Sequence, residues 1–345
     1  MGNREELIHA LRYLSERNKP PSAQETAAMF EAVCRVLDAE EAHLRPPDSS
    51  GLPGGVLNLR PELPLVALPD IHGRLEFILA ALSASYPDHG VQEPLLYALD
   101  SGRAQLLFVG DFVHAESRAR ERWMRAFEEF SGGFKKHAAM DQEMNESLGV
   151  LQAFALLKQA YPEIVHGLKG NHENISNEEG EGNHSFGKFV LEGAMVLEYM
   201  ERFYSGAPFE AVYRLEKSLP LLAVGSSYLV SHAEPARFFE RDEVIEYRSS
   251  PEVVEGLTWT DNDQAETGAV YAMLKHYLRY SEPDEAVYLG GHRPVEGLYA
   301  VRAEGRYVQF HHPARYVVAL PPVNRLFDPK RDVLELQVNR TLFDG

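Results

Sequence analysis

Five short segments of the chain carry aspartate, asparagine or histidine directly after a run of apolar residues. They occupy positions 69–73, 110–111, 170–173, 231–232 and 291–292. Six of their side chains are of the types that bind divalent metals, namely Asp70, His72, Asp111, Asn171, His232 and His292. Because two bridged cations serve mainly to hydrolyse phosphate esters or amides, the segments predict a dinuclear hydrolytic site.

The apolar runs before these segments predict the strands that must position them. Short strands are predicted at 63–68, 105–109, 164–168, 228–230 and 286–289. Helical patterns separate the early strands, whereas the later part of the chain is mostly strand. This order predicts an α/β fold, a two-sheet β-sandwich flanked by helices. Binding groups of open sheets collect beyond the carboxyl ends of strands, so segments far apart in sequence can converge there.

Each segment has a simpler structural interpretation when it is taken alone. Asp70 is well placed to cap the helix that follows it, and a single histidine such as His232 or His292 is often only a packed side chain. His311 and His312 also follow a predicted strand, and we interpret them as a structural pair. The metal prediction therefore depends on all five segments occurring together.

The chain divides into three predicted parts. Residues 1–60 form a helical N-terminal extension and linker, expected to add a packed layer, with partner binding or dimerisation as the alternative. Residues 61–322 form the catalytic domain, in which a helical insertion at about 117–160 is expected to wall the substrate site or simply to pack. Residues 323–345 form a C-terminal tail.

Composition narrows the classes of protein to which the chain could belong. Its 34 basic and 52 acidic residues give a formal charge of −18, which argues against a broad nucleic-acid surface. The single cysteine, Cys34, is interpreted as a core residue, so neither a disulfide nor a thiolate metal cluster is expected. No apolar stretch reaches the ~20 residues that span a bilayer, and the N-terminus lacks the apolar region of a signal peptide. We therefore expect a cytoplasmic protein without membrane contact.

The five segments resemble those of the calcineurin-like metallophosphoesterases, from about Leu63 to about Leu320. Within that superfamily the sequence looks most like the phosphoprotein phosphatase (Ser/Thr phosphatase) branch. Glu173 follows Gly-Asn-His as in that branch, and Leu-Thr-Trp-Thr-Asp-Asn at 257–262 is similar to its Leu-Leu-Trp-Ser-Asp-Pro segment. Gly-His-Arg at 291–293 also fits, since other branches usually carry Gly-His-x-His. The resemblance implies a four-layer α/β/β/α architecture.

The resemblance also implies a role for each matching residue. The first metal would be held by Asp70, His72 and Asp111, and the second by Asp111, Asn171, His232 and His292. A hydroxide shared by the two metals would attack phosphorus directly, while His172 protonates the leaving oxygen. A ligand set of oxygen and imidazole without sulfur suits Mn²⁺, Fe or Zn²⁺.

The sequence departs from the family pattern after the bridging aspartate. His114 stands where the family has a second aspartate that orients the catalytic histidine, and Ala115 stands where it has a phosphate-binding arginine. We therefore predict that Glu116 or His114 supports His172. The cations predicted to replace the missing arginines in binding the substrate are Arg118, Lys169 and Arg293.

These observations predict a metal-dependent phosphatase that hydrolyses phosphate monoesters. The expected substrate is a phosphorylated protein, at Ser or Thr, or a small phosphorylated metabolite. One alternative is a dinucleoside polyphosphate or nucleotide hydrolase, although that branch typically has aspartate where this chain has Glu173. Another is a metal-binding scaffold with weak catalysis, because the substrate arginines are replaced. The acidic segment 173–184 is expected to lie in a loop near the metals.

Overall fold

Two β-sheets and their flanking helices make up the computed structural model, which describes residues 2–278, 285–338 and 340–343. The strands are β1 (Val56–Asn58), β2 (Leu65–Leu68), β3 (Gln105–Phe108), β4 (Val165–Gly167), β5 (Leu222–Val224), β6 (Tyr228–Ser231), β7 (Val287–Gly290), β8 (Ala300–Arg302), β9 (Tyr307–Gln309), β10 (Val317–Ala319) and β11 (Val333–Glu335). The helices are α1 (Gly2–Glu16), α2 (Ala23–Asp38), α3 (Leu75–Ser83), α4 (Leu95–Asp100), α5 (Arg120–Ser131), α6 (Ala138–Ala160), α7 (Glu192–Phe203), α8 (Ala207–Ser218), α9 (Arg241–Ile245), α10 (Pro251–Thr258), α11 (Ala269–Tyr277) and α12 (Pro329–Asp332).

The strand order brings three parallel neighbours together in each sheet. The five-stranded sheet has the order β11-β10-β2-β3-β4, in which β2, β3 and β4 are parallel. The six-stranded sheet has the order β1-β5-β6-β7-β9-β8, in which β6, β7 and β9 are parallel. Parallel strands end at the same edge of a sheet, so each sheet gathers the loops that follow three strands.

Side-chain alternation along the strands explains the four layers. On β2, Leu65 and Ala67 join the cluster between the sheets, which also contains Val230 and Leu289 of the second sheet. Val66 and Leu68 point the other way, into the cluster that contains the buried faces of α1, α2, α3 and α6. Tyr288 and Tyr307 of the second sheet pack outward against α10 and α11. Strands covered on both faces read as continuous apolar runs, and the prediction of a two-sheet α/β sandwich flanked by helices is confirmed.

The N-terminal segment packs onto the sandwich as part of one core. A capping box between Ser22 and Glu25 starts α2, whose Phe30, Val33 and Cys34 are fully buried in the cluster shared with α6 and α8. Strand β1 lies inside the predicted extension, yet it pairs with β5. The boundary predicted at residue 60 thus separates this strand from its sheet. The strand was not predicted because its three residues are too few to show a periodic pattern.

The predicted C-terminal tail also supplies a strand. Its described residues are 323–338 and 340–343. Within them β11 pairs with β10 at the edge of the five-stranded sheet, and Phe343 is buried in the main core. The predicted boundary at residue 322 therefore divides strands of one sheet.

The insertion predicted at about 117–160 corresponds to α5 and α6, which connect β3 to β4. Helix α6 is buried along most of its length, and Phe154 packs against Phe108 and Phe112. This position favours the packing role that the sequence left open. In the part of the chain that the structure describes, no helix is both long and apolar enough to cross a membrane.

Candidate metal centre

The loops after the parallel strands of both sheets meet at one edge of the sandwich. Asp70, Asp111 and Asn171 follow β2, β3 and β4, whereas His232 and His292 follow β6 and β7. All five side chains are buried. The structure thus brings together residues separated by as many as 222 positions, as expected for the carboxyl ends of parallel strands.

Positive φ angles and two glycines allow the backbone segments at this edge to approach one another closely. His72, Asp111 and His292 have positive φ angles of 48°, 50° and 65°, a conformation that is uncommon outside glycine and that concentrates at functional sites. A Cβ atom on Gly170 would overlap with the Asp111 carboxylate, and one on Gly291 would overlap with that of Asp70. The two glycines therefore permit the segments to approach one another.

Glu173 fixes the loops after β3 and β4 relative to each other. Its buried carboxylate accepts hydrogen bonds from the backbone N–H groups of Asp111 (2.8 Å), Phe112 (2.8 Å) and Gly170 (2.7 Å). The His172 N–H donates to Asp111 Oδ1 at 2.9 Å. Because Oδ1 is engaged in this way, Oδ2 is the oxygen of Asp111 that faces the cluster.

Four donor atoms surround one potential cation position, the position implied for the second metal. His232 Nε2 lies 3.3 Å from Asp111 Oδ2 and 3.0 Å from Asn171 Oδ1. His292 Nδ1 lies 2.9 Å from the same Asn171 oxygen. Metal–ligand bonds of about 2.0–2.2 Å place the ligands of one ion within ~4.4 Å of one another, so these four atoms fit a divalent cation.

The position implied for the first metal lies on the other side of Asp111. His72 Nδ1 donates to the backbone oxygens of Val113 (3.1 Å) and His114 (2.9 Å), which leaves the Nε2 lone pair free to bind a cation. That Nε2 lies 3.6 Å from Asp111 Oδ2 and 3.9 Å from Asp70 Oδ2. Within the described residues, Asp70 Oδ2 is buried without a hydrogen-bond partner. A buried carboxylate oxygen of this kind fits a metal ligand.

The protonation states of the cluster also suit a divalent cation. Burial would raise the pKa of Asp111, but the imidazoles of His232 and His172 lower it well below its ordinary value. Burial, reinforced by the neighbouring His232, lowers the pKa of His292 to about 3. His232 behaves oppositely: burial would lower its pKa, but Asp111 raises it to about 9. A cation that binds there therefore displaces a proton from His232, as expected for metal sites.

His172 lies beside the cluster, and His114 contacts it. Nε2 of His172 is 3.9 Å from Asp111 Oδ2, and the Nδ1 atoms of His172 and His114 form a hydrogen bond of 3.1 Å. Burial lowers the pKa of both rings, that of His114 to about 3. Two neutral rings can share this bond only if one donates Nδ1–H to the other. If His114 is the donor, His172 carries its proton on Nε2, toward the metals.

Glu116, the other residue predicted to support His172, occupies a different position. Its Oε2 lies 3.8 Å from His72 Nε2 and 3.0 Å from Nε2 of His311, while Oε1 lies 3.3 Å from Lys188 Nζ. Burial would raise the pKa of Glu116, but His72, His311 and Lys188 lower it far below its ordinary value. Glu116 is thus an ionised carboxylate at the first-metal side and does not contact His172 in the described structure.

The three predicted substrate-binding cations lie in three different environments. Arg293 lines a cavity of about 250 Å³ that opens onto His72, Asp111, Asn171, His172 and His292. Arg118 instead donates to the His72 carbonyl oxygen at 3.0 Å and to Glu146, and lines a separate cavity. Lys169 is buried, and its ammonium donates to the Glu173 carbonyl oxygen. Of the three, only Arg293 lines the cavity that opens onto the candidate ligands, and its guanidinium also pairs with Asp261.

Sequence reasoning missed two residues that line this cavity. Phe186 packs on His172 with ring centroids 4.0 Å apart and stacks on His114 at 5.1 Å. Lys188 places its ammonium next to Glu116 at the cavity wall. Both lie beyond the loop predicted at 173–184, and no pattern in the sequence indicates their position.

His311, interpreted from the sequence as one of a structural pair, also lies at this site, and its position in the sequence could have indicated this. It directly follows the strand at 307–310, in the same pattern as the five segments. The structure places its ring inside the cluster, fully buried, with Nδ1 3.8 Å from Asp70 Oδ2. His312, by contrast, is only partly buried. The interpretation of the two histidines as a structural pair therefore does not hold for His311.

Comparison with known proteins supports the fold through structures rather than through sequences. No family model matches the chain, and no curated protein sequence matches it. A serine/threonine phosphatase from Saccharomyces cerevisiae with similarity to human phosphatase PP5 matches over 91% of this chain and 89% of its own, at 15% identity and a TM-score of 0.53.

A cold-active protein-tyrosine phosphatase of a psychrophilic Shewanella species matches over 82% of each chain, at 14% identity and a TM-score of 0.46. At 15% identity the match to the yeast protein concerns architecture alone. The chain therefore has the fold of a phosphoprotein phosphatase, which confirms at the level of architecture the resemblance carried by its motifs.

Proposed function

We propose that the chain is a metal-dependent phosphatase that hydrolyses phosphate monoesters at a dinuclear centre. The observation that carries the proposal is the pair of donor clusters that share Asp111 Oδ2 and open into one cavity. Asp70, His72 and Asp111 would hold the first cation, and Asp111, Asn171, His232 and His292 the second. Bound cations of the Mn²⁺, Fe or Zn²⁺ class would supply Lewis acidity and lower the pKa of a water nucleophile.

The surrounding side chains are suited to the remaining tasks of the reaction. Arg293 and Lys188 both line the cavity and would hold the anionic oxygens of a phosphoryl group. His172 Nε2 would donate a proton to the leaving oxygen. His114, which contacts Nδ1 of His172, would position that ring. The nucleophile would be water, which would attack phosphorus directly, so the reaction would not pass through a covalent phosphoenzyme.

The size of the cavity bears on the substrate. A volume of about 250 Å³ accommodates a phosphoryl group with a small part of its leaving group, so the rest of the substrate would lie outside. This fits a phosphorylated Ser or Thr side chain of a protein, or a small phosphorylated metabolite. Dinucleoside polyphosphates would extend further beyond the cavity, and no described residue favours them over a monoester.

Replacement of Asp111 tests the proposal directly. In Asp111→Asn we expect kcat/KM for p-nitrophenyl phosphate to fall at least about 10³-fold, because bridged cations supply several kcal/mol of transition-state stabilisation. Activity is measured after reconstitution with Mn²⁺, and exposed Asp263→Asn serves as the matched control with unchanged rates. If the wild-type protein binds two metals but hydrolyses no phosphomonoester, the proposed function is wrong and the protein is a metal-binding scaffold.

A further inference from the structure

His311 reaches the metal centre from a strand that the motif resemblance does not use. Strand β9 lies next to β7 in parallel register, so His311, two residues after β9, lies at the same sheet edge as His292, two residues after β7. The ring of His311 is fully buried and lies 5.5 Å, centroid to centroid, from the ring of His72. It therefore belongs spatially to the first-metal side of the cluster.

The hydrogen bond to Glu116 fixes which nitrogen of His311 carries the proton. A carboxylate oxygen accepts, so in the bond of 3.0 Å between Glu116 Oε2 and His311 Nε2 the imidazole nitrogen is the donor. The nitrogen of His311 that can offer a lone pair to a cation is then Nδ1. A carboxylate that binds the outer N–H of a histidine in this way is the usual support for a metal-binding imidazole.

Nδ1 of His311 faces another acceptor and no donor. It lies 3.8 Å from Asp70 Oδ2, and neither atom has a hydrogen-bond partner among the residues that the structure describes. Burying two unpaired acceptors against each other is costly. A cation between them would satisfy both, and the two atoms together with a nitrogen of His72 lie within 4.8 Å of one another.

We propose that His311 Nδ1 is a ligand of the first metal and that Glu116 is the positioning residue that orients it. This inference rests on the proposed dinuclear centre and adds a ligand to it. The first metal would then be bound by two imidazoles, those of His72 and His311, like the second. Paired imidazoles favour Mn²⁺, Fe or Zn²⁺ over Mg²⁺ at this position.

Metal binding without any activity assay tests the proposal. The probe is Mn²⁺, measured by equilibrium dialysis and elemental analysis of wild type, His311→Ala, Glu116→Gln and the neighbouring His312→Ala. We expect two Mn²⁺ per wild-type and His312→Ala chain. In His311→Ala the affinity of one Mn²⁺ should fall by more than about 10-fold, and in Glu116→Gln by about 10- to 100-fold, as for removal of other outer partners of metal ligands.

The outcomes separate this inference from the proposed function. If His311→Ala, folded by circular dichroism, binds two Mn²⁺ with wild-type affinity, the inference is overturned while the dinuclear phosphatase stands. If wild type itself binds fewer than two Mn²⁺, both are overturned. Should His311→Ala fail to fold, Glu116→Gln decides, because it keeps the size of the side chain, whereas its amide can donate as well as accept and no longer fixes the proton on Nε2 of His311. An unchanged affinity in that variant would contradict the role of Glu116 and with it the assignment of His311.

Discussion

The metal-facing edge and the cavity wall of this protein are built in different ways. The metal-facing edge comprises Asp70, His72, Asp111, Asn171, His232 and His292, all buried at the ends of strands. The cavity wall comprises Phe186, Lys188 and Arg293, which lie on loops and are partly exposed. Strand ends are fixed by two sheets and their cores, whereas loop residues are fixed only by local contacts. Under the proposed function, the strand ends would determine the reaction and the loops would determine the choice of substrate.

Among substitutions at the metal-facing edge, we expect replacement of Glu173 to have the largest effect on stability. Replacement by alanine leaves three buried backbone N–H groups, those of Asp111, Phe112 and Gly170, without their acceptor. We expect the free energy of unfolding to fall by at least about 3 kcal/mol, since each unsatisfied buried group costs about 1–3 kcal/mol. Urea denaturation measures the change.

Exposed Glu252→Ala is the matched control for Glu173→Ala and should leave the urea midpoint unchanged. A Glu173→Ala protein with wild-type stability and wild-type Mn²⁺ stoichiometry would show that the metal-facing edge does not depend on this carboxylate.

Replacement of His172 should affect catalysis while leaving the metals in place. In His172→Ala we expect kcat for p-nitrophenyl phosphate to fall by about 10²- to 10⁴-fold, the usual contribution of a general acid. The metal content should stay at the wild-type value, because His172 is not among the proposed ligands. Buried His166→Ala, on β4 but away from the cluster, is the control. Loss of metal from His172→Ala would instead assign the ring to the ligand set.

Substitutions in the cavity wall should weaken substrate binding and leave the metal content unchanged. Arg293→Ala and Lys188→Ala are each expected to lower kcat/KM by about 10-fold or more, since a charge-assisted hydrogen bond contributes about 1.5–3 kcal/mol. Arg118→Ala is the comparison, because its guanidinium lines a different cavity and should change kcat/KM little. Equal losses in Arg118→Ala and Arg293→Ala would contradict the division between the two cavities.

The smallest expected effect lies at the aromatic contact. Phe186→Leu keeps an apolar side chain but removes the ring that packs on His172 and His114. Aromatic pairs contribute about 0.5–1.5 kcal/mol beyond their burial, so kcat should fall by about 2- to 10-fold. Steady-state kinetics with p-nitrophenyl phosphate measure it, with Phe189→Leu as a control on the same loop. An unchanged kcat would mean that Phe186 only fills space.

Much of the fold was predictable because strands buried on both faces leave a continuous apolar signal. The runs before Asp70, Asp111 and Asn171 are β2, β3 and β4, shortened by a residue or two at their ends. Strands β1 and β11 were not predictable in the same way. Each has only three residues at the outer edge of its sheet, too few to show a periodic pattern. The partner of β1, strand β5, is also more than a hundred positions distant.

The candidate site was predictable where a residue type coincides with a strand end. This rule finds the six proposed ligands, and applied consistently it also finds His311. It does not find Lys188 or Phe186, because no periodic pattern specifies where a glycine-rich loop folds back. The rule says nothing about Glu116, whose side chain lies next to His72 and His311, because that position depends on packing across the two sheets.

Anomalous scattering from a crystal of the Mn²⁺-loaded protein tests the central claim most directly. We expect two peaks at the edge where the loops of the two sheets meet, both within coordination distance of Asp111 Oδ2. One peak should lie among Asn171, His232 and His292, and the other among Asp70, His72 and His311. A single peak, or peaks away from Asp111, would contradict the dinuclear centre.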